Sequence, residues 1–122
     1  MSLPLDITLV EYIEINEIDN AIYMITKSKT EPGRRYSVIV NEKKNIAICS
    51  CPAYLYNKDC WHIRVAKQLL KDYTRLISIL QKTNVKLIVF RKGERMELDF
   101  GTKDFRIVKY EDKKGGGGGN RG

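Results

Sequence analysis

The sequence predicts an α+β fold in which a small antiparallel sheet, a core helix and a C-terminal β-meander share one core. Three observations lead to this prediction. Three segments are predicted to be strands: 21–27 is rich in β-branched and aromatic residues, 35–41 alternates apolar and polar positions, and 46–48 follows a short polar segment that would close a hairpin. From Trp61 onward apolar residues recur at spacings of three and four, which is typical of a helix. From Val85 to Tyr110 the period returns to two, with turn residues between three further strands.

The first segment of the chain, residues 3–18, fits two patterns. Leu5, Leu9 and Tyr12 lie on one face of a helix, whereas residues 13–16 alternate like a strand. We favour the helix, followed by a turn at residues 19–20. The acidic residues of this segment would give the protein a negative surface that serves a protein partner or solubility.

The core helix is expected to begin near Trp61 and to form the main wall of the core. It either runs to Leu80 or breaks near residues 72–74. The preceding segment, residues 52–59, is predicted to be a loop in which Asp59 caps the helix.

All three cysteines and the only histidine of the chain stand close together around this loop. Cys49 and Cys51 are separated from Cys60 and His62 by eight residues, so the pattern is Cys-x-Cys, eight residues, Cys-x-His. Three thiolates and one imidazole complete a tetrahedral Zn²⁺ site. Pro52 should end the strand before it, so two ligands would come from a strand end and two from a helix start.

Other interpretations of these four residues remain open. Cysteines and a histidine can be ordinary buried residues, or a Cys–His pair can act as a nucleophile. A disulfide framework is disfavoured by the odd number of cysteines. The metal site is favoured because a single pattern accounts for all four residues.

The spacing resembles that of the SWIM zinc finger, a ββα module. The resemblance extends over about residues 35–70: residues 36–40 and 45–49 resemble its two strands, and 62–66 the start of its helix. One departure is Trp61, which stands where the family often has a basic residue. The resemblance implies DNA binding. Small SWIM proteins also act beside RecA-type recombinase paralogues in homologous recombination, which implies a protein-interaction adaptor as the alternative function.

Four protein ligands would close the coordination sphere of the zinc and leave no position for water or substrate. Such a site is structural rather than catalytic. The chain also carries no phosphate-binding glycine loop, no paired catalytic carboxylates and no Ser–His arrangement. The sequence therefore predicts a structural Zn²⁺ cofactor and no enzymatic activity.

The net charge of +7 and the pI of about 9.4 indicate a polyanionic partner, and nucleic acid is the commonest one. DNA is favoured over RNA as this partner. One side of the predicted helix carries a basic stripe: Arg64, Lys67, Lys71 and Arg75. Aromatic residues near the metal could stack on bases: Tyr54, Tyr56 and Trp61. A solvated basic surface is the alternative explanation for the stripe.

The length of 122 residues suits a single α+β domain over residues 1–112. Residues 113–122 are glycine-rich and are expected to form a flexible tail. The chain has no apolar run of the ~20 residues that a membrane span needs, and its first residues lack the positive region of a signal peptide. A cytoplasmic location is therefore expected.

Overall fold

The computed structural model describes residues 5–57 and 60–110; the predicted cap Asp59 and the predicted tail 113–122 lie outside these residues. A short 3₁₀ helix, Leu5–Leu9, comes first. The strands are β1 (Val10–Asn16), β2 (Ala21–Lys27), β3 (Arg35–Asn41), β4 (Ile46–Cys49), β5 (Lys86–Arg91), β6 (Glu94–Asp99) and β7 (Asp104–Lys109). The helices are α1 (Pro52–Asn57) and α2 (Trp61–Leu80).

All seven strands belong to one sheet in the order β4-β3-β2-β1-β5-β6-β7. Neighbouring strands are antiparallel except β1 and β5, which pair in parallel with Ile13 opposite Leu87 and Ile15 opposite Val89. A parallel pair requires a crossover connection, and the long segment containing α2 provides it. The three strands of the C-terminal meander therefore extend the predicted three-stranded sheet, and β1 adds the seventh strand between them.

Residues 10–16 form a strand, so the helix predicted for this segment is wrong beyond the 3₁₀ helix at its start. β1 lies at the centre of the sheet and hydrogen-bonds with β2 on one side and β5 on the other. Its buried side chains Ile13 and Ile15 alternate with half-buried ones, as the pleat requires. The segment 52–57 is also helical, whereas a loop was predicted there.

Two rows of apolar side chains cross the α2-facing side of the sheet, one residue from each strand. The first row is Cys49, Val38, Met24, Ile13, Leu87, Leu98 and Phe105. The second row is Ala47, Val40, Ile22, Ile15, Val89, Met96 and Ile107. Helix α2 packs against β2, β3 and β4. The row members on β1, β2, β3 and β5 are buried, whereas those on β6 are half-buried and those on β7 are exposed.

Helix α2 combines both predicted forms, because it runs to Leu80 but has non-helical backbone angles at Asp72 (φ −136°, ψ 31°). Cys60, in an extended conformation, occupies the N-cap position that was predicted for Asp59. Leu69 is fully buried and Leu70 only partly. The residues buried along α2 are His62, Ile63, Val65, Ala66, Leu69, Tyr73, Leu76 and Leu80.

Acidic residues of β1 and of the turn that follows it bind partners within the fold. Glu11 accepts two hydrogen bonds from the guanidinium of Arg35, at 2.6 and 3.0 Å. Glu17 accepts a hydrogen bond from the hydroxyl of Tyr73, the residue after the irregular Asp72, and Arg91 donates to that hydroxyl at 2.6 Å. The predicted negative surface is therefore partly neutralised, because these carboxylates tie β1 to β3, α2 and β5.

Candidate metal centre

Four side chains converge where the sheet meets the start of α2. Cys49 is the last residue of β4, Cys51 directly precedes α1, Cys60 occupies the N-cap position of α2 and His62 lies in its first turn. Two of the four residues thus lie at a strand end and two at a helix start, the arrangement that the sequence predicted. Pairing with β3 fixes the strand end, since Cys49 lies opposite Val38.

The donor atoms of these four residues all lie within 4.8 Å of one another. The Sγ of Cys49 is 3.6 Å from the Nδ1 of His62. Zinc bonds of ~2.3 Å to sulfur and ~2.1 Å to nitrogen place two tetrahedral ligands about 3.6 Å apart, so this distance fits a shared ion. Three sulfurs and one imidazole nitrogen are also a donor set that suits Zn²⁺. The residues present therefore fit a zinc ion.

Helix α1 supports the position of Cys51. The backbone N–H of Tyr54 donates to the Sγ of Cys51 at 3.4 Å, and the hydroxyl of Tyr54 donates to the carbonyl of Ala47 at 3.2 Å. An N–H donor near a metal-bound thiolate offsets part of its negative charge. Pro52 is the first residue of α1, a position that proline favours, and it was the signal that could have predicted this helix.

Aromatic rings lie beside His62. The ring of Trp61 is 4.1 Å from the imidazole ring between centroids, and the ring of Tyr36 is 5.8 Å from it. Both aromatic side chains are half-buried, whereas Tyr56 is 86% exposed. Trp61 therefore shields the site, and among the three aromatic residues singled out in the sequence Tyr56 is the most accessible.

Burial governs the protonation of the cysteines. The four side chains are between 1% and 6% exposed, and removal from water raises the pKa of Cys49 and of Cys60. Thiols in such an environment stay protonated at neutral pH unless a cation stabilises the thiolates. A bound Zn²⁺ would supply that charge, and binding would release the thiol protons. All four donors are buried, and the cluster is compatible with a bound zinc ion.

The basic stripe is exposed along its whole length, but the non-helical residue Asp72 divides it. Arg64, Lys67 and Lys71 precede Asp72, and Arg75 follows it. Lys67 and Lys71 line a groove of about 490 Å³ together with three residues that do not belong to the stripe: Asn20, Glu42 and Leu70. The sequence did not indicate that Glu42, from the turn between β3 and β4, brings a negative charge to this groove.

The basic residues of the protein fall into two groups by their partners. Five arginines outside α2 lie close to a carboxylate: Arg34, Arg35, Arg91, Arg95 and Arg106. In contrast, Lys67, Lys71 and Arg75 form no ion pair with any residue in the described ranges 5–57 and 60–110. Their charges are therefore not neutralised by these residues.

Comparisons with protein-family models, curated proteins and solved structures find no match for this chain. The resemblance to the SWIM zinc finger consequently rests on the Cys-x-Cys and Cys-x-His spacing and its flanking elements. Neither helix in the described part of the chain has both the length and the apolar character of a membrane-spanning helix.

Proposed function

We propose that this is a non-enzymatic protein of the SWIM type that uses a structural zinc ion to present a basic helix face to nucleic acid, DNA rather than RNA. The observation that carries the proposal is the convergence of Cys49, Cys51, Cys60 and His62, whose donor atoms lie within 4.8 Å of one another. A zinc ion bound there would supply a cationic cross-link between four side chains and would have no part in a reaction.

The position of the metal residues links the site to the basic stripe. Cys49 belongs to a strand that is paired with β3, and His62 belongs to the first turn of α2. Joining them holds the first turn of α2 against the sheet edge. Arg64 and Lys67 follow within the next turn, so the ion would set the direction in which these side chains project.

The charges of the stripe support nucleic-acid binding. Lys67, Lys71 and Arg75 are exposed and lack ion pairs within the described residues, so their positive charge is available to phosphates. Glu42 in the adjoining groove opposes this effect. Contacts of this kind carry no sequence information, so we expect weak dependence on base sequence.

Fluorescence anisotropy with labelled single- and double-stranded oligonucleotides at two salt concentrations tests the proposal. We expect binding that weakens steeply with salt and falls at least tenfold when Lys67, Lys71 and Arg75 are all changed to Gln. The matched control changes three exposed lysines elsewhere to Gln: Lys44, Lys86 and Lys92. An equal loss in the control would indicate non-specific attraction, and no binding at low salt would refute the proposal.

A protein-interaction adaptor is the second candidate function. It is favoured by apolar side chains that remain exposed on the edge strand β7, Phe105 and Ile107. Such side chains are more often found at protein contacts than on a nucleic-acid surface. A recombinase paralogue in homologous recombination is the partner that the SWIM resemblance implies, and it stays a prediction.

A further inference from the structure

The apolar rows of the sheet continue beyond the helix that covers them. Leu98 and Phe105 continue the row of Ile13 and Leu87, and Met96 and Ile107 continue the row of Val89. Exposure rises along both rows, from 0% at Leu87 and Val89 to 52% at Phe105 and 57% at Ile107. We call the group formed by Met96, Leu98, Phe105 and Ile107 the β6–β7 apolar face.

The width of this face corresponds to one helix. An α-helix with its side chains is ~10 Å across, and neighbouring strands are ~4.8 Å apart, so β6 and β7 together are about as wide as one helix. Helix α2 packs on β2, β3 and β4, and the row members on β1 and β5 are also buried, so the uncovered part of this side begins at β6. The two remaining strands therefore leave room for one more helix on the same side of the sheet as α2.

The parts of the chain outside the described residues have little with which to cover this face. Residues 111–122 contain no apolar side chain, and residues 58–59 are Lys and Asp. Residues 1–4 offer Met1 and Leu3, which are too few for a helical stripe. These residues therefore supply no apolar helical stripe for the face.

A second copy of this chain fits the face poorly. Pairing of β7 with β7 of another copy would extend the sheet and leave Phe105 and Ile107 uncovered. Stacking the two faces would bring together the exposed Lys109 residues, which share this face with Ile107, in two molecules that each carry a net charge of +7. Like charges at such a contact disfavour the homodimer.

The charges at the rim indicate the chemistry of the partner. Lys103, in the turn before β7, and Lys109, at its end, are exposed and form no ion pair within the described residues. The nearby carboxylate of Glu94 is already paired with Arg91 at 3.5 Å. We infer that the β6–β7 apolar face is the docking surface for an amphipathic helix of a partner protein whose apolar stripe is flanked by acidic residues.

This inference rests on the second candidate function and is independent of nucleic-acid binding. To test it, a photo-cross-linking amino acid is placed at position 107 in cells that naturally make the protein, and the cross-linked peptide is sequenced. We expect one partner, attached through a segment with apolar residues at spacings of three and four and acidic residues beside them. A cross-link to another copy of this chain, to a segment without that pattern, or to no protein would overturn the inference.

Calorimetric titration of the identified partner then separates this surface from others. Ile107→Glu should weaken binding at least tenfold, whereas Ile48→Glu, a matched change at an isoleucine 49% exposed on the opposite face of the sheet, should change it less than twofold. Unchanged melting and zinc content of both variants would exclude misfolding. If the partner binds the Ile107→Glu variant with full affinity, the adaptor function still stands but the β6–β7 apolar face is not its docking surface.

Discussion

The Sγ of Cys49 lies 3.6 Å from the Nδ1 of His62, which brings the last residue of β4 into contact with the first turn of α2. Both residues are buried, so the contact is part of the core as well as of the candidate metal site. Because the site is built into the core, loss of the ion and loss of stability should occur together.

Substitution of a proposed metal ligand should lower the free energy of unfolding. We expect Cys60→Ser and His62→Ala to lose zinc and at least about 3 kcal/mol of unfolding free energy, roughly 10 °C in Tm. Native mass spectrometry measures the zinc content, and thermal unfolding measures the stability. A chelator should lower the Tm of the wild-type protein similarly and leave that of the variants unchanged. The control, Tyr56→Phe at a nearby exposed position, should match the wild type, and a metal-free variant with wild-type Tm would contradict the structural role.

Leu69 and Leu70 form a matched pair on α2. Leu69 is 0% exposed, and its change to Ala should cost ~2–5 kcal/mol because it leaves a cavity. Leu70 is half-buried beside the groove of Lys67 and Lys71, so the same change should cost less than half as much. Urea unfolding measures both. Equal losses would mean that α2 is rotated from the position described.

The hydroxyl of Tyr73 connects Glu17 of the β1–β2 turn with Arg91 of β5 next to the kink in α2. Tyr73→Phe keeps the ring and removes this link, and we expect a loss of about 1–2 kcal/mol, since hydrogen bonds to charged groups exceed neutral ones. Chemical denaturation measures the loss, with Tyr56→Phe as the exposed control. No difference between the two variants would show that the link contributes nothing net.

The pair Glu11–Arg35 should make stability depend on pH. Its hydrogen bonds from Arg35 lower the pKa of Glu11 below the usual 4.5. The contribution is therefore present above that value and is lost as pH falls through the lowered pKa. We expect Glu11→Gln to cost up to about 1 kcal/mol at pH 7 and little once the wild-type Glu11 is protonated.

Urea unfolding of both proteins at a series of pH values measures this difference. The control is Glu31→Gln, which removes the more exposed ion pair with Arg34 and should have no measurable effect. A difference between wild type and Glu11→Gln that stays constant to the lowest pH would contradict the assignment to the ion pair.

The basic stripe predicts a defined dependence of affinity on salt. If Lys67, Lys71 and Arg75 each bind one phosphate of duplex DNA, changing all three to Gln should make the log–log salt slope less negative by about 3. Anisotropy titrations over a range of salt concentrations measure the slope. The control with Lys44, Lys86 and Lys92 changed should keep the wild-type slope, and an unchanged slope in the stripe variant would place the contacts elsewhere.

Elements with a strong local pattern could be predicted from the sequence. The bounds of β2 follow from its β-branched and aromatic residues, those of β3 follow from alternation, and the α+β class follows from the change of period. β1 could not be predicted because Leu9, Tyr12 and Ile13 also fit a helix. Its strand form depends on pairing with Leu87 and Val89, which are remote in sequence.

Some features of the candidate site could be predicted from the sequence, and others could not. The four metal residues were identified because the chain has no other cysteine or histidine. The irregularity at Asp72 was predicted as one of two forms of the helix, whereas the approach of Glu42 to the stripe was not predicted, since it depends on how α2 packs on the sheet. The same holds for the partners of Glu11 and Glu17, which depend on strand register.

The parallel pairing of β1 with β5 has a consequence for synthesis of the chain. While the polypeptide emerges from the ribosome, β1 to β4 and α2 can assemble before residues 86–91 are available. During that interval the free edge of β1 is open to strands of other nascent chains. A metal bound at the cysteine cluster would not cover this edge, so the edge of β1 is paired only once β5 has been synthesised.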